Sequence, residues 1–239
     1  MGSNLSRSSK ARRQRKAKAP PSMQSENVAR YAACNTLHTA GIPVCIWLED
    51  ALGHLGVPTL AFELYLLVHD VAAATQILLE SGYQRGKPSL AIESIPQFHN
   101  LFTLPRHEIS GSPTSSEPDD SEQPSVILLP AAEWFYKLPE RIENMADWFP
   151  TLPGIYSALV AKWLSLNEDE HALRLRIAVF IGYIYEYLDD TIRSPGFEQQ
   201  LPAKYGQFHR DQLRGINTAD LGTFKCQQHY LKNIEEGTQ

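Results

Sequence analysis

Apolar residues come in short, bounded runs through the first half of the chain and at three- and four-residue spacing through the second. The pattern predicts alternating strands and helices followed by a helical part. Ile42 to Trp47 (IPVCIW) is short, apolar and rich in β-formers, and reads as a buried strand. Leu48 to Leu55 fits a short helix ending at Gly56, with Pro58 as a stop signal. Leu60 to Val68 has the length and apolar content of a core strand. Asp70 can cap a helix in which Val71, Ala74, Ile77, Leu78 and Leu79 recur at helical spacing before Gly82 closes it. Glu26 to Ala40 reads as a helix stopped by Gly41, and Leu90 to Phe102 as short strands.

Residues 107–125 (HEISGSPTSSEPDDSEQPS) hold almost no large apolar side chain, so they read as a disordered surface insertion. Val126 to Pro130 then returns the chain to the sheet, which places the insertion inside a domain. The segment AAEWFYKLPERIENMADWFPTLP sets aromatics between prolines and reads as an ordered connector. Leu152 to Leu166 and Ala172 to Leu188 predict a two-helix hairpin, with Asn167 and Asp169 as candidate caps for the second helix. Tyr183, Tyr185 and Tyr187 cannot share one helix face, so part of this aromatic set must be exposed or lie against another element. From Phe197 the chain turns polar. His209, Arg210 and Asp211 adjoin in sequence, yet neighbours on a helix do not face one another.

The strand, helix, strand, helix order from Ile42 to Tyr83, with a GVPT turn leading into the second strand, resembles the nucleotidyltransferase superfamily. The resemblance implies an α+β fold: a nucleotidyltransferase-like mixed sheet with flanking helices, followed by a C-terminal helical part. In that family the first strand ends in a Gly-Gly or Gly-Ser pair at a helix start. The next strand carries two carboxylates two residues apart, and a later strand adds a third. Alternate strand residues share a face, so such acids can hold divalent metals that clamp a triphosphate, while glycines let backbone N–H groups approach the phosphates. In this chain Leu48 and Glu49 stand where the glycines belong. Glu63 stands at the first acid position, Tyr65 at the second, and Val126 to Leu129 offers no carboxylate. The resemblance therefore implies a degenerate cleft made of Leu48, Glu49, Glu63 and Tyr65, with no confident catalytic residue beyond a residual Glu63 and no metal site. Over residues 26 to 230, through the EWFYKLPER, RIAVFIGYIYEYL and LPAKYGQFHRDQL segments, the chain also resembles a group of fungal proteins with a nucleotidyltransferase-like fold and no settled activity. Structural roles compete at each position. Glu63 reads as an acid paired with Arg85 or Lys87, Tyr65 as a core or cleft aromatic, and Glu49 and Asp50 as first-turn helix charges.

The N-terminus, MGSNLSRSSKARRQRKAKAP, resembles an N-myristoylation signal, with Gly2 as acceptor and Ser6 at the favoured position. Arg7, Lys10, Arg12, Arg13, Arg15, Lys16 and Lys18 lie here with no acid among them. These seven account for much of the 22 Lys+Arg, leaving 15 basic against 27 acidic residues elsewhere, a balance of −12 behind the overall −5. A myristoyl chain alone binds membranes with K on the order of 10⁴ M⁻¹, and each basic residue near an anionic leaflet adds up to about 1 kcal/mol. Together the two signals suffice for peripheral anchoring. Phosphates on the interleaved Ser3, Ser6, Ser8 and Ser9 would oppose it. A nuclear or nucleic-acid-contacting tail is the competing reading.

The expected organisation is a disordered basic tail over 1–24, a nucleotidyltransferase-like core over 25–135 and a helical part over 136–239. Cys34, Cys45 and Cys226 lack metal spacing and read as reduced thiols of a cytoplasmic protein. The eight histidines are dispersed, with no pair at i, i+4. Three functions remain in view: a membrane-peripheral, inactive nucleotidyltransferase-like binding module; a divergent enzyme using Mg²⁺; and a basic-tailed nuclear protein. The expected partners are an anionic membrane surface and a protein, with nucleic acid disfavoured by the acidic body.

Overall fold

The structure is a computed structural model that describes residues 29–104, 124–167 and 169–218. The basic stretch with Gly2, most of the 107–125 insertion, and Cys226 with the end of the chain lie outside the described residues. The fold is mixed α+β. Helix α1 (Ala32–Thr39) leads to strand β1 (Val44–Trp47), helix α2 (Leu48–His54), strand β2 (Leu64–Val68) and helix α3 (Val71–Glu80). Strands β3 (Gln84–Arg85), β4 (Leu101–Thr103) and β5 (Val126–Pro130) complete the sheet. Helices α4 (Leu152–Ser165), α5 (His171–Tyr187), α6 (Asp189–Ile192), α7 (Pro195–Glu198) and α8 (Ala203–Thr218) follow.

Among the described residues five strands lie in the order β1-β2-β5-β4-β3. Strand β2 runs antiparallel to β1 and parallel to β5, and β4 is antiparallel to both β5 and β3. β1, β2 and most of β5 are buried on both faces, as their continuous apolar runs require. On one face Val44, Ile46, Leu64, Leu66, Val126 and Leu128 pack with α1 and α3. On the other, Cys45, Trp47, Tyr65, Leu67, Ile127 and Leu129 join the core built by the helices after Leu152. The register aligns Trp47, Tyr65, Ile127 and Leu101 in one row across four strands. Among the described residues, no helix is long and apolar enough to cross a membrane.

Several expectations change in detail. The strand expected from Leu60 begins at Leu64, because β1 and β5 offer partners only that far and Leu64 N–H already bonds Ser125 O. Leu60 and Phe62 are left outside the sheet, 77% and 72% exposed. Between Leu90 and Phe102 there is one short strand, preceded by a 3₁₀ turn at Pro96–Phe98. The expected caps of α5 do not form. Its N-cap is Glu170, whose carboxylate accepts from Asn167 N–H, so the Asn167 turn is closed by the acid rather than the reverse. The sequence past Phe197 is less polar in its placement than in its composition. Phe197, Leu201, Tyr205, Phe208 and His209 are buried. Asp70 caps α3 as expected, accepting from Ala73 N–H at 2.9 Å. Gly82 ends α3 at φ +92°, a conformation that only glycine adopts freely. Val126–Pro130 rejoins the sheet, and α4 packs against α5.

Candidate functional site

The site begins where β1 meets α2. Trp47 is extended, then Leu48 turns left-handed at φ +52° with its side chain fully buried. For a residue with a Cβ this conformation costs roughly 1–2 kcal/mol, offset here by the packing of the leucine among the core side chains. The turn brings Glu49 and Asp50 into the first turn of α2, both more than nine-tenths buried.

The two acids point to different counter-ions. Asp50 receives Nε and Nη2 of Arg30 at 2.6 and 2.7 Å, a bidentate pair, and the hydroxyl of Tyr31 at 3.1 Å. Glu49 receives Nη2 of Arg176, from α5, and the same nitrogen donates to the Tyr65 hydroxyl at 3.0 Å. The Arg176 guanidinium also lies 5.4 to 5.8 Å from the ring centres of Phe98, Tyr65 and Phe180, close enough for cation–π attraction. Burial pushes the Glu49 carboxyl above its ordinary range, Arg176 pulls it back, and the nearby charge of Glu63 pushes it up further. Glu49 Oε2 is buried without a hydrogen-bond partner. Burial likewise raises the Tyr65 hydroxyl, with the Glu49 charge acting in the same direction.

Above this floor lies a groove of about 940 Å³ between the residues preceding β2 and helix α5. Glu49, Glu63 and Arg176 border its inner side, while Leu60, Phe62, Leu175 and Val179 border the mouth. Glu63 is half-buried, and Ser89 Oγ donates to it at 3.2 Å. Its backbone carbonyl accepts from Arg30 Nη2 at 3.3 Å. Arg85 lies over the Phe102 ring instead.

Glu49, Glu63 and Tyr65 are thus brought to one place, with Leu48 in the core behind them. Among the described residues no three His, Cys, Asp or Glu side chains gather as a metal-binding group. The sequence reading missed Arg176, Arg30 and Tyr31. A signal for Arg176 was present: it follows Leu173 by three and precedes Phe180 by four, so a helix puts it on the buried face, where a guanidinium needs an acid. His209, Arg210 and Asp211 diverge, His209 toward Tyr185 and Ile192, Arg210 toward Glu198 and Asp211 toward Gln207. Gly2 and the seven basic tail residues lie outside the described residues. Comparison with known proteins gives no matching family, no matching curated protein and no matching solved structure.

Proposed function

We propose that this chain is a membrane-peripheral binding module on a nucleotidyltransferase-like scaffold whose polyphosphate cleft is closed by an internal ion pair. The observation that carries the reading is Arg176, a side-chain cation held between Glu49 and Tyr65. On this reading Tyr65 stands at the second acid position, so a guanidinium belonging to the protein lies beside the place a metal would take. Three features of the fold support the scaffold assignment. Strand β1 runs straight into a helix start, and Leu48 there keeps a left-handed backbone that glycine adopts without cost. Strand β2 lies beside a strand from much later in the chain, β5. Ile127 of β5 pairs with Tyr65, where a third carboxylate from a later strand would sit. The anchoring half of the proposal rests on Gly2 and the basic run in the sequence.

One observation favours the divergent-enzyme alternative: Glu49 and Glu63 border the same groove and act on one another. Titration calorimetry of the full chain with ATP and Mg²⁺ separates the readings. The closed cleft predicts no magnesium-dependent heat, whereas saturable binding lost in Glu63→Ala would assign a working nucleotide site. Sedimentation with phosphatidylserine vesicles tests the anchor. Acylated wild type should pellet and Gly2→Ala should stay in the supernatant; equal pelleting of both would remove lipid anchoring.

A further inference from the structure

Of the nine large hydrophobic side chains exposed among the described residues, four meet at this one groove: Leu60, Phe62, Leu175 and Val179. An apolar patch so concentrated is characteristic of interaction surfaces. The described chain begins beside it. Arg30, one residue into the described structure, donates to the carbonyl of Glu63, and Glu63 borders the groove. The described residues therefore start within the reach of one arginine side chain of the groove's border. The N-terminal stretch carries seven basic residues, and with Glu49 already paired to Arg176 the groove's border keeps the carboxylate of Glu63, so the charges are complementary.

We infer that the groove is the docking site of the N-terminal segment of this same chain, with the acyl group on Gly2 lying along Leu60, Phe62, Leu175 and Val179. This rests on the proposed lipid anchor, since it needs Gly2 to be acylated. The acyl chain then has two competing destinations, the groove and the bilayer, and the protein exists in a retracted and an anchored state. Joined through a linker of roughly 25 residues, the acyl group meets the groove at an effective concentration on the order of 1 mM. If the groove matches the bilayer's K of about 10⁴ M⁻¹, the docked form outweighs the free one by roughly tenfold. Vesicle affinity is reduced by the same factor until docking is lost.

The test uses the full chain, acylated and unacylated, with acylation verified by intact mass. Leu60→Ser with Leu175→Ser removes apolar contacts at two side chains that are 77% and 64% exposed, so folding is unaffected. Docking predicts that acylation slows amide exchange over residues 58–63 and 172–183, and that the double variant abolishes this slowing. It also predicts that acylated double variant binds phosphatidylserine vesicles about tenfold more tightly than acylated wild type, with no difference between the unacylated forms. Unchanged exchange on acylation together with equal vesicle affinities overturns the inference. Acylated proteins that both bind vesicles well, without groove protection, would leave the anchor standing and the docking refuted. Groove protection without vesicle binding of either variant would leave docking standing and remove the membrane reading.

Discussion

Glu49, Arg176 and Tyr65 share one buried hydrogen-bonding site, and each has a separate reason to be there. Removing the guanidinium leaves a carboxylate in an apolar floor, and breaking a buried pair in this way typically costs 3–5 kcal/mol. Arg176 is partly exposed, so Arg176→Met should destabilise by about 3 kcal/mol in urea unfolding, with Glu49→Gln in the same chain recovering part of the loss. The pH dependence has a definite sign. Burial holds the Glu49 carboxyl above its ordinary 4.5, so the folded protein keeps this proton to higher pH than the unfolded chain. Its favourable contribution is complete below that value and is lost as pH rises through the raised one. The stability of wild type relative to Glu49→Gln should therefore fall from pH 4.5 toward neutrality; a difference that grows instead would contradict the assignment. Leu48 offers a second test. Truncation to Ala removes a buried leucine, typically 2–5 kcal/mol, and keeps the left-handed strain. Truncation to Gly removes the same packing but releases roughly 1–2 kcal/mol of that strain. Leu48→Gly should be no less stable than Leu48→Ala, reversing the usual order, as thermal midpoints would show.

Among the elements, α8 is the longest that the hydrophobic pattern did not announce; the short β3, α6 and α7 were not announced either. The α8 sequence is polar, yet it docks through a chain of hydrogen bonds. His209 Nε2 donates to the Ile192 carbonyl at 3.1 Å, which leaves Nδ1 as acceptor for the Tyr185 hydroxyl at 2.8 Å. The Tyr185 oxygen in turn lies 2.8 Å from the Tyr156 hydroxyl on α4. Desolvation lowers the His209 imidazole below its ordinary 6.5. The stabilisation from the neutral ring is thus present above 6.5 and is lost as pH falls through the lowered value. Amide protection factors along α8, corrected for the intrinsic pH dependence of exchange, should fall on acidification below 6.5, and His209→Gln should flatten that dependence; an unchanged pH profile in the variant would exclude the ring as the cause. The strands and helices up to α5 were far more legible, because their apolar periodicity records burial directly. Asp70, Gly82 and the Val126–Pro130 run mark positions in the sequence that the structure uses in the way their chemistry suggests. The Glu170 turn and the late start of β2 were not legible, since both depend on which neighbour supplies a partner.

Over the whole molecule, two layers of helices enclose a mixed sheet, and the groove lies on the side where α5 faces the residues preceding β2. That position explains why the floor joins residues 49, 65 and 176, which no local pattern connects. It also sets the side chain of Arg30, near the start of the described residues, against the backbone carbonyl of Glu63 at the groove's border. What the sequence determined by itself is what depends on spacing and on single side chains: the alternation of strands and helices, the helical hairpin, the Asp70 cap and the Gly82 stop, and the segregation of positive charge at one end. These follow because periodicity and backbone preference act over a few residues. What only the tertiary structure decided is what the acids face. Asp50 turned to Arg30, Glu49 turned to an arginine on a helix more than a hundred residues away, and exposed Leu60, Phe62, Leu175 and Val179 came together. The reason is that the partner of a buried charge is chosen by how the sheet and helices stack, and that stacking is fixed by the packing of the whole core.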